Sequence, residues 1–166
     1  MLKKQPLIAF GFAILLLFFT GCKAGDSYLK EEAPIQKRSS SNSGIKLSTE
    51  KEVYKTSDNE ITVNIQNESD TEFNYDKYFA IEKNVNGVWY SVPFKDEAFE
   101  DIGIVLRPKT STSQTFSLDR LKNSLSSGTY RLVKNFYSPE DYYLTLEKEG
   151  EIPNGTTLAA PFEIVK

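Results

Sequence analysis

Glu60-Ile61-Thr62-Val63-Asn64-Ile65-Gln66-Asn67 is the stretch that decides the fold class. Ile61, Val63 and Ile65 take every second position, with Thr62, Asn64 and Gln66 between them. Successive side chains of a strand point to opposite faces, so this spacing predicts one apolar and one polar face. Upstream, Gly44-Ile45-Lys46-Leu47-Ser48 alternates in the same way, Val53-Tyr54 extends it after a kink, and Ser57-Asp58-Asn59 forms a turn. Downstream, Asn67-Glu68-Ser69-Asp70 turns the chain into a strand region from Thr71 to Val85. Phe73, Tyr75, Phe79 and Ile81 share a face there if the strand is continuous. Tyr78 is out of phase, which a β-bulge would accommodate.

The pattern continues outward. Asn86-Gly87 predicts a hairpin turn because both residues tolerate positive φ. The return strand, Val88 to Phe94, contains the single tryptophan, Trp89. Further strands are expected at 101–106, 112–118, 129–137, 142–147 and 158–165, and no helical period is sustained among them. Many short strands with regular turns predict an all-β, immunoglobulin-like antiparallel β-sandwich of about seven to nine strands. Leu125-Ser126-Ser127-Gly128-Thr129-Tyr130 resembles the tyrosine corner of such sandwiches, where the ring packs in the core and the hydroxyl ties back to upstream backbone.

Composition limits the chemistry. The chain has 166 residues, one cysteine and no histidine. A lone cysteine makes no internal disulfide, and without histidine the commonest general base and metal ligand is missing. The formal charge is −3; without Lys3 and Lys4 it is near −5. That acidity argues against a nucleic-acid surface and against electrostatic adhesion of the whole chain to anionic lipid. Aromatics make up 13% of the residues, which suits half-buried strands.

Lys3 and Lys4 precede an uncharged run from Leu7 to Phe19, LIAFGFAILLLFF, the length of a signal-peptide core and short for a membrane span. Phe19-Thr20-Gly21-Cys22 follows. It resembles a bacterial lipobox, with Phe19 where the pattern usually has Leu. The resemblance implies that signal peptidase recognises Phe19, Thr20 and Gly21, that residues 1–21 are removed, and that Cys22 is lipidated on sulfur. Two acyl chains hold a protein stably at a membrane. Residues 22–43, which include the charged and Ser-rich KAGDSYLKEEAPIQKRSSSNS, are expected to be a disordered tether, with Lys37-Arg38 a solvated charge pair. The folded domain is then 44–166, about 120 residues and enough for a core.

Four features between Ile45 and Tyr137 resemble the bacterial Ig-like domains of exported Gram-positive lipoproteins: Leu47-Ser48-Thr49-Glu50-Lys51 to Tyr54; EITVNIQNESDTEFNY; Gly87-Val88-Trp89-Tyr90-Ser91-Val92-Pro93-Phe94; and Leu106-Arg107-Pro108-Lys109 with Gly128-Thr129-Tyr130-Arg131-Leu132. The resemblance covers about three-quarters of the folded part. It implies a sandwich, no single shared activity and no cofactor. Ser138 to Thr157 exceeds the family's usual last hairpin.

Candidate chemistry is sparse. Ser-His-Asp and Cys-His arrangements are excluded. A Ser–Lys pair is formally available, with no spacing to support it. Asp96, Glu97, Glu100 and Asp101 form the densest acidic cluster, but show no opposed pair for glycoside chemistry and no alternating spacing for calcium. No catalytic and no metal site is therefore assigned. Trp89 is expected in the core. Tyr90 and Phe99, with Tyr142 and Tyr143 beside Ser138-Pro139-Glu140-Asp141, are the candidate partner-binding aromatics. The expectation is a monomeric, non-enzymatic binding module displayed outside a Gram-positive cell membrane through lipid on Cys22. Its further partner would be an envelope or secreted protein. A carboxylate-based envelope hydrolase and a structural spacer are the alternatives.

Overall fold

The computed structural model describes residues 26–96, 103–142 and 155–166. The strands are β1 (Ser41–Asn42), β2 (Ile45–Thr49), β3 (Val53–Lys55), β4 (Glu60–Asn67), β5 (Phe73–Tyr75), β6 (Ala80–Val85), β7 (Val88–Ser91), β8 (Ile104–Leu106), β9 (Ser111–Ser117), β10 (Gly128–Phe136) and β11 (Thr156–Val165). One sheet has the order β1-β2-β4-β9 and the other β3-β11-β10-β6-β7, with a small β5-β8 pair beside them. Neighbours are antiparallel except β3, which runs parallel to β11. This is the expected all-β Ig-like sandwich.

The alternation of β4 sets the core. Ile61, Val63 and Ile65 are fully buried and face Tyr130, Leu132, Phe136, Leu158 and Phe162 from the other sheet within one apolar cluster. Tyr130 forms the tyrosine corner: its hydroxyl donates to the Ser126 carbonyl at 2.7 Å, and its ring stacks on Phe162 at 5.6 Å. Asn86 (φ 54°) and Gly87 (φ 90°) make the tight turn between β6 and β7, in the conformation their side chains allow. At the end of β4, the buried Asn67 amide donates to the carbonyls of Thr71, Leu106 and Arg107, tying the first sheet to the β5-β8 pair.

The structure departs from the sequence reading in four places. Thr71 to Val85 is not one strand with a bulge. It breaks after Tyr75 and resumes at Ala80 in the other sheet. The Asp76 carboxylate accepts the Tyr78 N–H at 2.8 Å and turns the chain, which leaves Tyr78 exposed while Phe79 and Ile81 return to the core. Second, Tyr142 does not open a strand. Residues 139–142 are helical; Ser138 caps them, its hydroxyl accepting the Asp141 N–H, and Pro139 follows directly. The rest of that expected strand, 143–147, lies outside the described residues.

The third departure is the tether. Residues 22–25 lie outside the described part, but 26–43 pack on the domain. Ala33 N–H donates to the Trp89 carbonyl at 2.8 Å, and Ser91 N–H donates to the Glu31 carbonyl at 2.9 Å. The segment thus adds itself to the open edge of β7, and Ala33 is buried. Arg38 is correspondingly no solvated charge: its side chain is 7% exposed and lies 3.7 Å from Glu82. Finally, Trp89 is half-buried rather than core, because β7 ends its sheet and its outer face is covered by Arg131 and the 26–38 strap.

Candidate functional site: a cleft between strap and sheet

The strap is positioned by three polar latches. Gln36 makes the first: its side-chain oxygen accepts the Trp89 N–H at 2.8 Å, and its amide donates to the carbonyls of Ala33 (2.9 Å) and Trp89 (3.1 Å). The second is Arg131, on the outward side of β10. Its Nη1 and Nη2 donate to the Gln36 and Ile35 carbonyls at 2.9 and 2.7 Å, its Nε donates to Glu82, and the guanidinium lies 4.2 Å from the centre of the Trp89 ring. Arg38 joins Glu82 from the strap, and burial lowers its pKa while Glu82 opposes the shift.

The third latch lies at the start of the strap. Lys83, 2% exposed and opposite Tyr130 in the sheet, donates from Nζ to Asp26 and to Ser126 Oγ at 2.6 Å. Ser126 Oγ in turn donates to Asp26 at 3.2 Å. This is the Ser–Lys pair that spacing could not reveal. The pair ties the first described residue of the strap, Asp26, to the turn before β10. Burial, chiefly, pushes the Tyr28 and Tyr130 phenols beside it up to about 12.

Between the strap and the sheet lies a cleft of about 660 Å³. Tyr28, Lys30 and Glu31 line it from the strap, Tyr78 and Ile81 from the β6 side, Ser91, Val92 and Phe94 from the end of β7, and Lys122 and Asn123 from the turn before β10. Lys30 and Lys122 are exposed, and neither ammonium is in an ion pair among the described residues. Tyr78 is 39% exposed, and the Phe94 ring stands edge-on to Phe79 at 5.2 Å. The walls thus combine aromatic surface, two free cations and one carboxylate, Glu31. A depression of similar volume on the outer face of the first sheet is lined by Ser48, Asn64, Gln66, Ser113 and their neighbours, with no aromatic ring.

The expected binding aromatics are not gathered at one place. Tyr90 lies opposite Lys83 in β7 and bridges to Glu32 of the strap. Tyr142 sits on the helical turn, its ring 6.4 Å from Tyr137 and its hydroxyl against Gly103. Tyr90 and Tyr142 lie on separate elements, β7 and the 139–142 turn. Phe99 and Tyr143 lie outside the described residues, as do Phe19, Thr20, Gly21 and Cys22. Of the acidic loop, Asp96 is described and pairs with Arg120 at 3.3 Å, while Glu97, Glu100 and Asp101 are not described. Among the described residues no three His, Cys, Asp or Glu side chains converge on a metal position. Sequence reading missed the cleft residues Tyr28, Lys30, Tyr78 and Lys122. The one available signal was the apolar pair Tyr28-Leu29 in an otherwise polar linker.

No curated protein matches the chain. Among solved structures it is similar to the periplasmic chaperone SfaE, at 8% identity and a TM-score of 0.41, covering 74% of this chain and 60% of the chaperone. It is also similar to the archaellum periplasmic stator protein FlaG from Sulfolobus acidocaldarius, at 18% identity and a TM-score of 0.38, covering 71% of this chain and 99% of that one. The chain thus spans about 60% of the chaperone's length. The bacterial Ig-like domain family matches residues 41–162, from β1 to within β11. With nearly the whole sandwich inside that match, the chain belongs to the bacterial Ig-like domain family.

Proposed function

We propose that this chain is an exported lipoprotein, held on the outer face of a Gram-positive cell membrane by lipid on Cys22, and that its Ig-like domain binds a ligand without catalysing a reaction. The cleft is the observation that carries the binding reading. Aromatic walls with two ammonium groups that have no ion-pair partner among the described residues suit an anionic group attached to an apolar or flat body. Glu31 is the one carboxylate among the lining residues, so the cleft offers no opposed acid pair of the kind glycoside hydrolysis uses. The anchoring reading rests on the apolar run ending at Thr20-Gly21-Cys22.

Intact mass spectrometry of the protein extracted from membranes tests the anchor. The expected species begins at Cys22 and carries a diacylglyceryl group, and Cys22→Ala remains uncut. A wild-type protein that is released without lipid, or that keeps residues 1–21, overturns the reading.

A further inference from the structure

Three residues, Lys23, Ala24 and Gly25, separate Cys22 from Asp26, which is already bonded to Lys83. An extended chain covers at most about 3.6 Å per residue, so the Asp26 Cα lies within about 14 Å of the Cys22 Cα. Tyr28 and Lys30, which wall the cleft, follow within four residues of Asp26. If Cys22 is embedded by its acyl chains, no long tether lifts the domain. The cleft is held within reach of the headgroup layer.

The cleft lining, with two lysines and one carboxylate, differs in charge from the chain as a whole. The mature chain is acidic overall and repelled by anionic lipid. Charges beyond a Debye length of about 8–10 Å are screened, so only those close to the surface count. In the cleft, Lys30 and Lys122 stand with the Tyr28, Tyr78 and Phe94 rings and one carboxylate, Glu31. Amphipathic rings settle at headgroup depth, and lysines pair with lipid phosphate. Lys30 and Lys122 come from separate segments, so one anionic group held by both would also fix the strap to the sandwich.

We infer that this cleft seats the headgroup of an anionic phospholipid from the same membrane that holds Cys22. The inference rests on the lipid-anchor reading and gives the cleft its ligand. The headgroup phosphate lies between the Lys30 and Lys122 ammonium groups, and its glycerol end lies against the aromatic wall.

The full lipidated protein in vesicles of phosphatidylcholine or of phosphatidylglycerol tests this, with flotation and amide hydrogen exchange as separate readouts. Flotation with both vesicles reports the anchor. Exchange at residues 28–31 and 122–123 reports the cleft, and is expected to slow about tenfold or more in phosphatidylglycerol alone. The doubly substituted Lys30→Gln, Lys122→Gln protein, altered only at exposed positions, should float unchanged and lose that slowing. Glycerol phosphate added to phosphatidylcholine vesicles should not reproduce it. Equal exchange in the two lipids, with flotation intact, overturns the headgroup site alone. Full slowing by glycerol phosphate makes the ligand a soluble phosphate and also overturns it. Loss of flotation from both vesicles overturns the anchor and the inference with it.

Discussion

Lys134 is a buried cation in an apolar setting. It is 1% exposed; its Nζ donates to the Asp76 and Tyr78 carbonyls at 2.8 Å each and lies 5.3 Å from the Tyr75 ring and 5.2 Å from the Phe116 ring. It therefore pins the crossover between β5 and β6. Desolvation pushes its pKa down to about 8, with the Asp76 charge opposing. The unfolded chain then binds more protons than the folded one between about pH 8 and the ordinary lysine value near 10.5, so stability rises with pH in that window. Tyr28 and Tyr130 act in the opposite sense. With folded values of about 12 and unfolded values of 10.0, they make stability fall above pH 10. Urea denaturation should thus show a gain of about 1–3 kcal/mol from pH 7.5 to pH 10, then a loss. Lys134→Met should lack the gain, and a flat wild-type profile would contradict the assignment. The position was legible in principle. In TYRLVKNFY, Lys134 shares its parity with Tyr130, Leu132 and Phe136, which places it on the core face.

Elements differ in how far the sequence discloses them. Strands β4 and β10 and the Asn86-Gly87 turn were readable because alternation and turn chemistry are local properties. So was the tyrosine corner, which rests on a four-residue spacing. The strap was not readable. It buries little apolar surface, and a composition argument measures only that. Much of its hold comes from Gln36, Arg131 and Glu82, and from Lys83 on Asp26, groups that meet only when β6, β7 and β10 are side by side. The same blindness put Trp89 in the core and dissolved Arg38 in a linker. Gln36→Ala removes three hydrogen bonds and should cost about 1–3 kcal/mol in urea denaturation. Arg131→Met should cost more, about 3–5 kcal/mol, because Glu82 stays buried with only Arg38 at 3.7 Å. If both substitutions stay within about 0.5 kcal/mol of wild type, the strap is not part of the folded unit.

At the scale of the molecule, the two kinds of hold should separate under exchange. Strand β10 is paired along its nine residues with β11 and over four with β6, and β4 is paired on both sides by β2 and β9. Their amides open only when the apolar cluster between the sheets is lost. The strap meets the sandwich through its polar latches and a small apolar contact from Tyr28, Leu29 and Ala33, much less than the cluster between the sheets. Amides that open locally exchange with a smaller free energy than those that need global unfolding. Native-state hydrogen exchange in mild urea should therefore place β4 and β10 at the global value, with a strong denaturant slope. Residues 31–36 should lie several kcal/mol below, with a slope near zero. Equal values and slopes for both would mean that the strap folds and unfolds with the sandwich. A lower strap value has a consequence for the cleft. One of its walls could then open while the sandwich stays folded, so a ligand that bridges Lys30 and Lys122 would raise the strap's protection and leave that of β10 unchanged.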